Sequence, residues 1–208
     1  DRGLDKAMAR VPGRDLDYIS AARDQFPALA LQVDANGACT VADIDHLAAL
    51  DEFALLLVEQ PFGDDDLVGH ALLANRLRTP VCLDEPIVSV DTTASAVALG
   101  ACDVVNLKAG RVGGYVAARA IHDWCVERNI PLWCGGMLET GLGRAANVAL
   151  AALDGFTLPG DLSASARFYE TDIVTDPIVV EHGGIAVPSG PGFGVDLDLD
   201  LIERFRVA

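Results

Sequence analysis

Short apolar runs recur along the chain, and each closes on a polar or charged residue: ALALQVD on Asp34, LLLVE on Glu59, PVCLD on Asp84 and DVVNLK on Lys108. Runs this short and this apolar are the pattern of strands buried on both faces, as in a parallel sheet. Between them, residues 41–50, 65–77, 91–99 and 114–128 place Ala, Leu and Val at helical spacing. The closing residues are 25, 25 and 24 positions apart, which is one strand, one loop and one helix per step. The pattern predicts two further units: PLWCGG as a strand leading into a helix over 141–153, then FTLPGD as a last short strand. Ahead of Asp34 lies a helix-like stretch over 16–25, preceded by a poor strand candidate over 7–11.

Alternating strands and helices of equal period fit either a closed barrel or a doubly wound sheet. The barrel is the better fit. Four successive strands carry their polar residue at the C-terminal end, where a closed ring gathers such residues and an open sheet spreads them along an edge; in barrels, that end is where active sites form. An eight-stranded barrel takes about 250 residues. The expected fold class is therefore α/β, a (β/α)8-type TIM barrel incomplete at its N-terminal end. Residues 1–172 form the barrel lacking its first strand or strands, and residues 173–208 a C-terminal extension packed on it. The extension reads as a hairpin and a Pro/Gly loop (VTDPIVVEHGGIAVPSGPGFGV) followed by a short helix.

Composition narrows the partners. With 208 residues, of which 51% are hydrophobic, the chain can bury a sizeable core. Its 31 acidic against 15 basic residues give a net charge of −16, which disfavours nucleic acid and anionic membrane surfaces. No apolar run approaches the roughly 18 residues of a membrane span, and the first residues lack a signal-peptide core. The expectation is a soluble, cytoplasmic protein. Five cysteines (Cys39, Cys82, Cys102, Cys125 and Cys134) show no CxxC spacing and are expected as buried thiols. His46, His70, His122 and His182 are equally scattered, and no histidine chemistry is expected of them.

Asp34, Glu59 and Asp84, at the ends of three consecutive strands, offer hard oxygen donors of the kind Mg²⁺ or Mn²⁺ takes. The next strand ends in Lys108. That set suits removal of a proton α to a carboxylate: the metal neutralises the developing enediolate and a lysine takes or gives the proton. Strand ends in α/β proteins often carry acids as helix caps, so any one of the three taken alone is more simply structural. Three in register with a following lysine form a candidate site. GRVGG (110–114) matches no standard nucleotide pattern and reads as a tight loop, CGGMLETG (134–141) as a wall against a ligand, and Asp64 to Asp66 as a solvated helix start.

The segments VDANG, LLLVEQP, CLDEP, NLKAGRVGG and WCGGMLETGLGRAAN, with LPGDLSAS and PSGPGFGV further on, resemble the enolase superfamily, and within it the o-succinylbenzoate synthase and N-acylamino acid racemase group. The resemblance runs from Pro12 to the C-terminus. It implies Asp34, Glu59 and Asp84 as ligands of a divalent metal, Mg²⁺ with Mn²⁺ or another ion as alternatives, and Lys108 as a catalytic lysine. It implies Asn36, Gly136, Met137 and Leu138 as the lining for a small carboxylate substrate, with no nucleic-acid or membrane partner and a homo-oligomer as the expected assembly. The implied activity is dehydration to o-succinylbenzoate in menaquinone biosynthesis, or racemisation of N-acylamino acids on the same site.

The sequence departs from the family in two places. An α+β capping domain ahead of the barrel is absent from this stretch. The family's Lys-x-Lys pair falls on Ala7 and Ala9 counting back from Pro12, or on Lys6 and Met8 counting from Asp34, and is incomplete in either register. Its second lysine is the usual acid/base for the dehydration, so its loss should remove most activity. A non-catalytic metal-binding fragment or variant is therefore a third expectation.

Overall fold

The computed structural model describes residues 15–207. The strand candidate over 7–11 and the lysine-pair positions 6–9 lie outside them. The described residues fall into two compact units that divide between Leu132 and Trp133.

The first unit alternates helix and strand: α1 (Asp15–Gln25), β1 (Val33–Asp34), α2 (Ile44–Ala48), β2 (Val58–Glu59), α3 (Leu67–Ala74), β3 (Val81–Leu83), α4 (Val90–Ala98), β4 (Val104–Leu107) and α5 (Tyr115–Glu127), with β5 (Leu132–Cys134) beginning at its last residue. The sheet order is β1-β2-β3-β4-β5, and the pairings of β1 to β4 are all parallel. Neighbours in the sheet follow chain order without the reversal that marks a doubly wound sheet, as winding into a barrel requires. Every strand residue is buried, which explains why these runs are apolar without alternation. Leu47, Leu50, Leu73, Ala96, Ala118, Ile121 and Cys125 cover the strands from the helices.

One predicted helix is broken. Residues 41–50 form a short 3₁₀ turn (Val41–Asp43), the five-residue α2 and a second 3₁₀ stretch (Ala49–Phe53), which ends on Ala54 in the left-handed region. Arg23 of α1 ties down this irregular end by donating to the carbonyls of Phe53 (2.9 Å), Ala54 (3.2 Å) and Leu29 (2.6 Å). Asp51, inside the second 3₁₀ stretch, accepts from the backbone N–H groups of Arg78 and Thr79 just ahead of β3. Burial pushes its carboxyl upward, but these bonds and the Thr79 hydroxyl outweigh it and hold the group below the usual carboxylate range. Periodicity alone cannot show such backbone contacts.

The second unit carries the end of β5, α6 (Gly141–Ala151) and a short terminal helix, α7 (Leu199–Phe205). Among the described residues, the strand expected at FTLPGD is reduced to a single bridge residue at Phe156. Gly160 lies so close to β5 that a Cβ there would stand 2.9 Å from the Cys134 carbonyl oxygen. The hairpin expected in the tail contracts to one bridge, Glu181 with Gly184, closed by His182 and Gly183 at positive φ. Val174 bridges Leu197 antiparallel.

Four of the five cysteines are buried thiols, as expected; Cys39 is only half-buried, in the loop after β1. Burial pushes the thiols of Cys102 and Cys134 up to about 12 and that of Cys125 to about 11, leaving them protonated and inert. No helix among the described residues is long and apolar enough to cross a membrane.

The start of α4 provides a test of local stability. Ser89 accepts from the Thr92 N–H at 3.1 Å, while the Thr92 hydroxyl accepts from the Ser89 N–H at 3.0 Å, a reciprocal cap. Ser89→Ala is expected to lower unfolding free energy by about 1 kcal/mol, read as a reduced denaturant midpoint at unchanged slope.

Candidate active site

The strand register assembles the site. Val33 pairs with Val58 and Asp34 with Glu59; Glu59 in turn pairs with Cys82, and Leu83 with Val105. Side chains alternate faces along a strand, so paired residues and those two further on share a face. Asp84, two past Cys82, therefore shares a face with Glu59 and Asp34. Continued by one residue, the register sets Asp84 beside Asn106, with Lys108 two residues beyond. All five are buried. Asn106 of β4 donates to Glu59 Oε1 of β2 at 2.6 Å, across β3. Strands two apart in a flat sheet are separated by about 9.5 Å, so the bridged face is the concave side of a curved sheet.

Each carboxylate has donors in reach. Asp34 Oδ1 accepts from the Asn36 backbone N–H at 2.9 Å, a local turn made possible by Asn36 and Gly37 at successive positive φ. Gly37 is required there on two counts, its φ of 68° and the Phe62 carbonyl oxygen 3.2 Å from where a Cβ would stand. Asp84 Oδ2 accepts from Lys108 Nζ at 2.6 Å, and its other oxygen pairs with the Arg111 guanidinium. Glu85 is partly buried beside this pair; burial and the adjacent Asp84 charge push its carboxyl upward, with Arg111 and Lys108 opposing.

Sequence reasoning missed four residues here: Gln60, Glu85, Asn106 and Arg111. Gln60 sits at φ 38°, a left-handed conformation that costs a non-glycine residue about 1–3 kcal/mol. Its amide compensates by accepting from the Asp84 N–H at 3.0 Å and donating to the Phe62 carbonyl at 3.0 Å, which locks the end of β2 to the end of β3. Asn106 carried a legible signal, since it lies two residues before Lys108 on a strand and so shares its face. Arg111 carried none, because its reach depends on the loop turning back: the N–H groups of Arg111 and Val112 bond the Lys108 carbonyl, and Gly114 bonds Ala109. GRVGG is thus a self-closed turn, as expected.

Of the predicted site residues, Asp34, Glu59, Asp84, Lys108 and Asn36 lie in the first unit and Gly136, Met137 and Leu138 in the second. Asp34, Glu59 and Asp84 share a face, but among the described residues no three His, Cys, Asp or Glu side chains are drawn together as a ready ligand cage. Both oxygens of Asp84 are turned to cationic side chains, the arrangement that buried negative charge adopts when protein groups must neutralise it. The donor chemistry still fits a hard divalent ion. The donors are all carboxylate oxygen, all buried, and three in number against two cationic groups.

In the second unit, Glu139 organises the loop after β5. Its oxygens accept from the Met137 N–H (2.9 and 3.0 Å), from Asn147 (2.9 Å) and from the fully buried Arg144 (2.8 Å), which also donates to the Met137 carbonyl. The loop is fixed from below while Met137 and Leu138 stand exposed. Gly136 is needed because a Cβ there would come within 2.8 Å of Arg144 Nη1 and 3.0 Å of the Asp161 carbonyl oxygen.

A sequentially ordered parallel β/α sheet with acidic strand ends on its concave face defines the class as a (β/α)-barrel protein with a carboxylate-lined site. The family described as enolase C-terminal domain-like matches residues 5–201, and the chain belongs to it. It is 54% identical to N-succinylamino acid racemase of Amycolatopsis over 99% of this chain and 57% of that protein. It is 51% identical to o-succinylbenzoate synthase of Geobacillus kaustophilus over 93% of this chain and 52% of the other. The solved structure of an enolase superfamily member from Listeria innocua superposes with a TM-score of 0.90 at 45% identity, covering 93% of this chain and 52% of that one. The fold is that of the barrel portion of the superfamily, and the chain spans about half the length of these relatives.

His70, on α3, tests how the site loop is held. The ring is fully buried; Nε2 accepts from the Phe62 N–H at 3.2 Å and Nδ1–H donates to the Asp66 carbonyl at 2.7 Å, which requires the neutral ring. Burial lowers its pKa from 6.5, opposed by the Asp66 carbonyl and charge. The unfolded chain therefore binds the proton more readily, and stability present above about pH 6.5 is lost as pH falls. Chemical denaturation at pH 7 and pH 5 should show this loss, and His70→Asn should flatten the slope between the two while lowering stability at pH 7.

Proposed function

We propose that this chain carries the proton-transfer site of an enzyme that removes a proton α to a carboxylate and stabilises the resulting enolate. The particular reaction proposed is o-succinylbenzoate synthase-like dehydration of a cyclohexadiene carboxylate, for menaquinone biosynthesis. The observation that carries the proposal is the single concave face bearing Asp34, Glu59, Asp84 and Lys108. Asp34, Glu59 and Asp84 would hold a divalent cation, Mg²⁺ or Mn²⁺, and when bound it supplies positive charge against the enolate oxygens.

Lys108 would exchange the α-proton. Its ammonium is held by Asp84 at 2.6 Å, which fixes the nitrogen relative to the carboxylates rather than leaving a long side chain to sample many rotamers. Arg111 pairs with the other Asp84 oxygen, so that two cationic side chains share the charge of this carboxylate. In the first unit Asn36 would contact the substrate; in the second, Gly136 and the exposed Met137 and Leu138 would offer it a mainly apolar lining on a loop that Glu139 and Arg144 make rigid.

A second reading, racemisation of an N-succinylamino acid, is favoured by the 54% identity to the Amycolatopsis racemase. It needs a second base opposite Lys108, and the position of the pair's second lysine falls on Met8 or Ala9 in the two registers.

The test is turnover of both substrates by the full-length protein with Mg²⁺, together with α-proton exchange in deuterium oxide followed by NMR. Dehydration or racemisation is expected, with Lys108→Ala reducing it by about 10²–10⁴-fold. Wild-type protein that binds Mg²⁺ yet neither turns over nor exchanges the α-proton of either substrate would overturn the enzymatic reading.

A further inference from the structure

We infer that Asn106 is a positioning residue for Glu59, holding that carboxylate in the orientation from which it binds a divalent cation. The inference rests on the reading of the three carboxylates as cation ligands and adds a residue which that reading does not include. Asn106 is fully buried, and its Nδ2 donates to Glu59 Oε1 at 2.6 Å, short for an N–H···O bond, as befits a charge-assisted one. The contact spans β3 and is the reach of a full side-chain amide; a shorter residue on β4 would fall short of β2.

The other end of the amide supports the assignment. Asn106 Oδ1 is buried and makes no hydrogen bond among the described residues. A buried acceptor left without a donor is costly, and a purely structural asparagine would be expected to satisfy both ends. Rotating the amide by half a turn would not help, because it would set Oδ1 against a carboxylate oxygen, acceptor to acceptor. The side chain is thus committed to Glu59 at the expense of its own carbonyl. On the face that bears the carboxylates, an acceptor lacking a donor marks a place for one that arrives with the ligand. Water carried by a hard divalent cation is a donor of that class.

The test measures cation binding without substrate. Mg²⁺ and Mn²⁺ are titrated calorimetrically into full-length wild type, Asn106→Leu, Glu59→Gln and the double variant, with the thermal midpoint of each recorded in EDTA. Asn106→Leu is expected to weaken cation binding about 10–100-fold, and the double variant to bind no more weakly than Glu59→Gln alone, since Asn106 acts through Glu59. Asn106→Ser, too short to reach Glu59, should show the same loss and serves if the leucine variant does not fold. Wild-type protein that binds no cation would overturn the carboxylate reading and this inference with it. Wild-type binding with Asn106 variants of equal affinity, or losses that simply add in the double variant, would overturn this inference alone.

Discussion

Buried carboxylates on one face of a parallel sheet are the constraint to which the rest of the first unit answers. Asp34, Glu59 and Asp84 are all but inaccessible to water, and ionised oxygens in such a place need donors or cations close by. The structure supplies a different answer at each. A backbone N–H held by an Asn-Gly turn serves Asp34, the Asn106 amide serves Glu59, and Lys108 with Arg111 serves Asp84. The parallel register makes these answers possible, because it turns residues from four strands toward one another at a spacing that side chains can bridge.

The loops that follow the strands hold this arrangement with little freedom. Gln60 accepts an unfavourable backbone conformation and secures it with two amide bonds, linking the ends of β2 and β3. His70 fixes the next turn of the same loop through the Phe62 N–H. The loop after β4 closes on the Lys108 and Ala109 carbonyls, which brings Arg111 back onto Asp84. In the second unit the Glu139 and Arg144 pair does the same for the loop after β5, and leaves two apolar side chains outward. Rigid support beneath polar or exposed groups is what sites for small molecules require, since orientation set in advance lowers the free energy of ordering on binding.

The strands were legible because burial on both faces leaves a local trace: continuous apolar runs ending at Asp34, Glu59, Asp84 and Lys108 lie within a residue of the observed strand ends. The helices α1 and α3 to α6 were legible as well, since each coincides closely with a stretch in which apolar residues recur at helical spacing. The stretch from Val41 to Phe53 was not, since its break into 3₁₀ turns is bound up with contacts from Arg23 and from the backbone at Arg78 and Thr79, far away in the chain. FTLPGD had a strand's composition but shows only a bridge residue, Phe156, among the described residues.

The sequence by itself determined the alternation of strand and helix, the acidic strand ends and the family to which they belong, because each is written in residues close together along the chain. Only the tertiary structure decided which groups meet. Register brought Asn106 to Glu59 over 47 positions of sequence, and a closed loop turned Arg111 to Asp84 over 27. Hydrogen bonds and ion pairs depend on distances of a few ångströms, and chain spacing says nothing of those until the strands are paired.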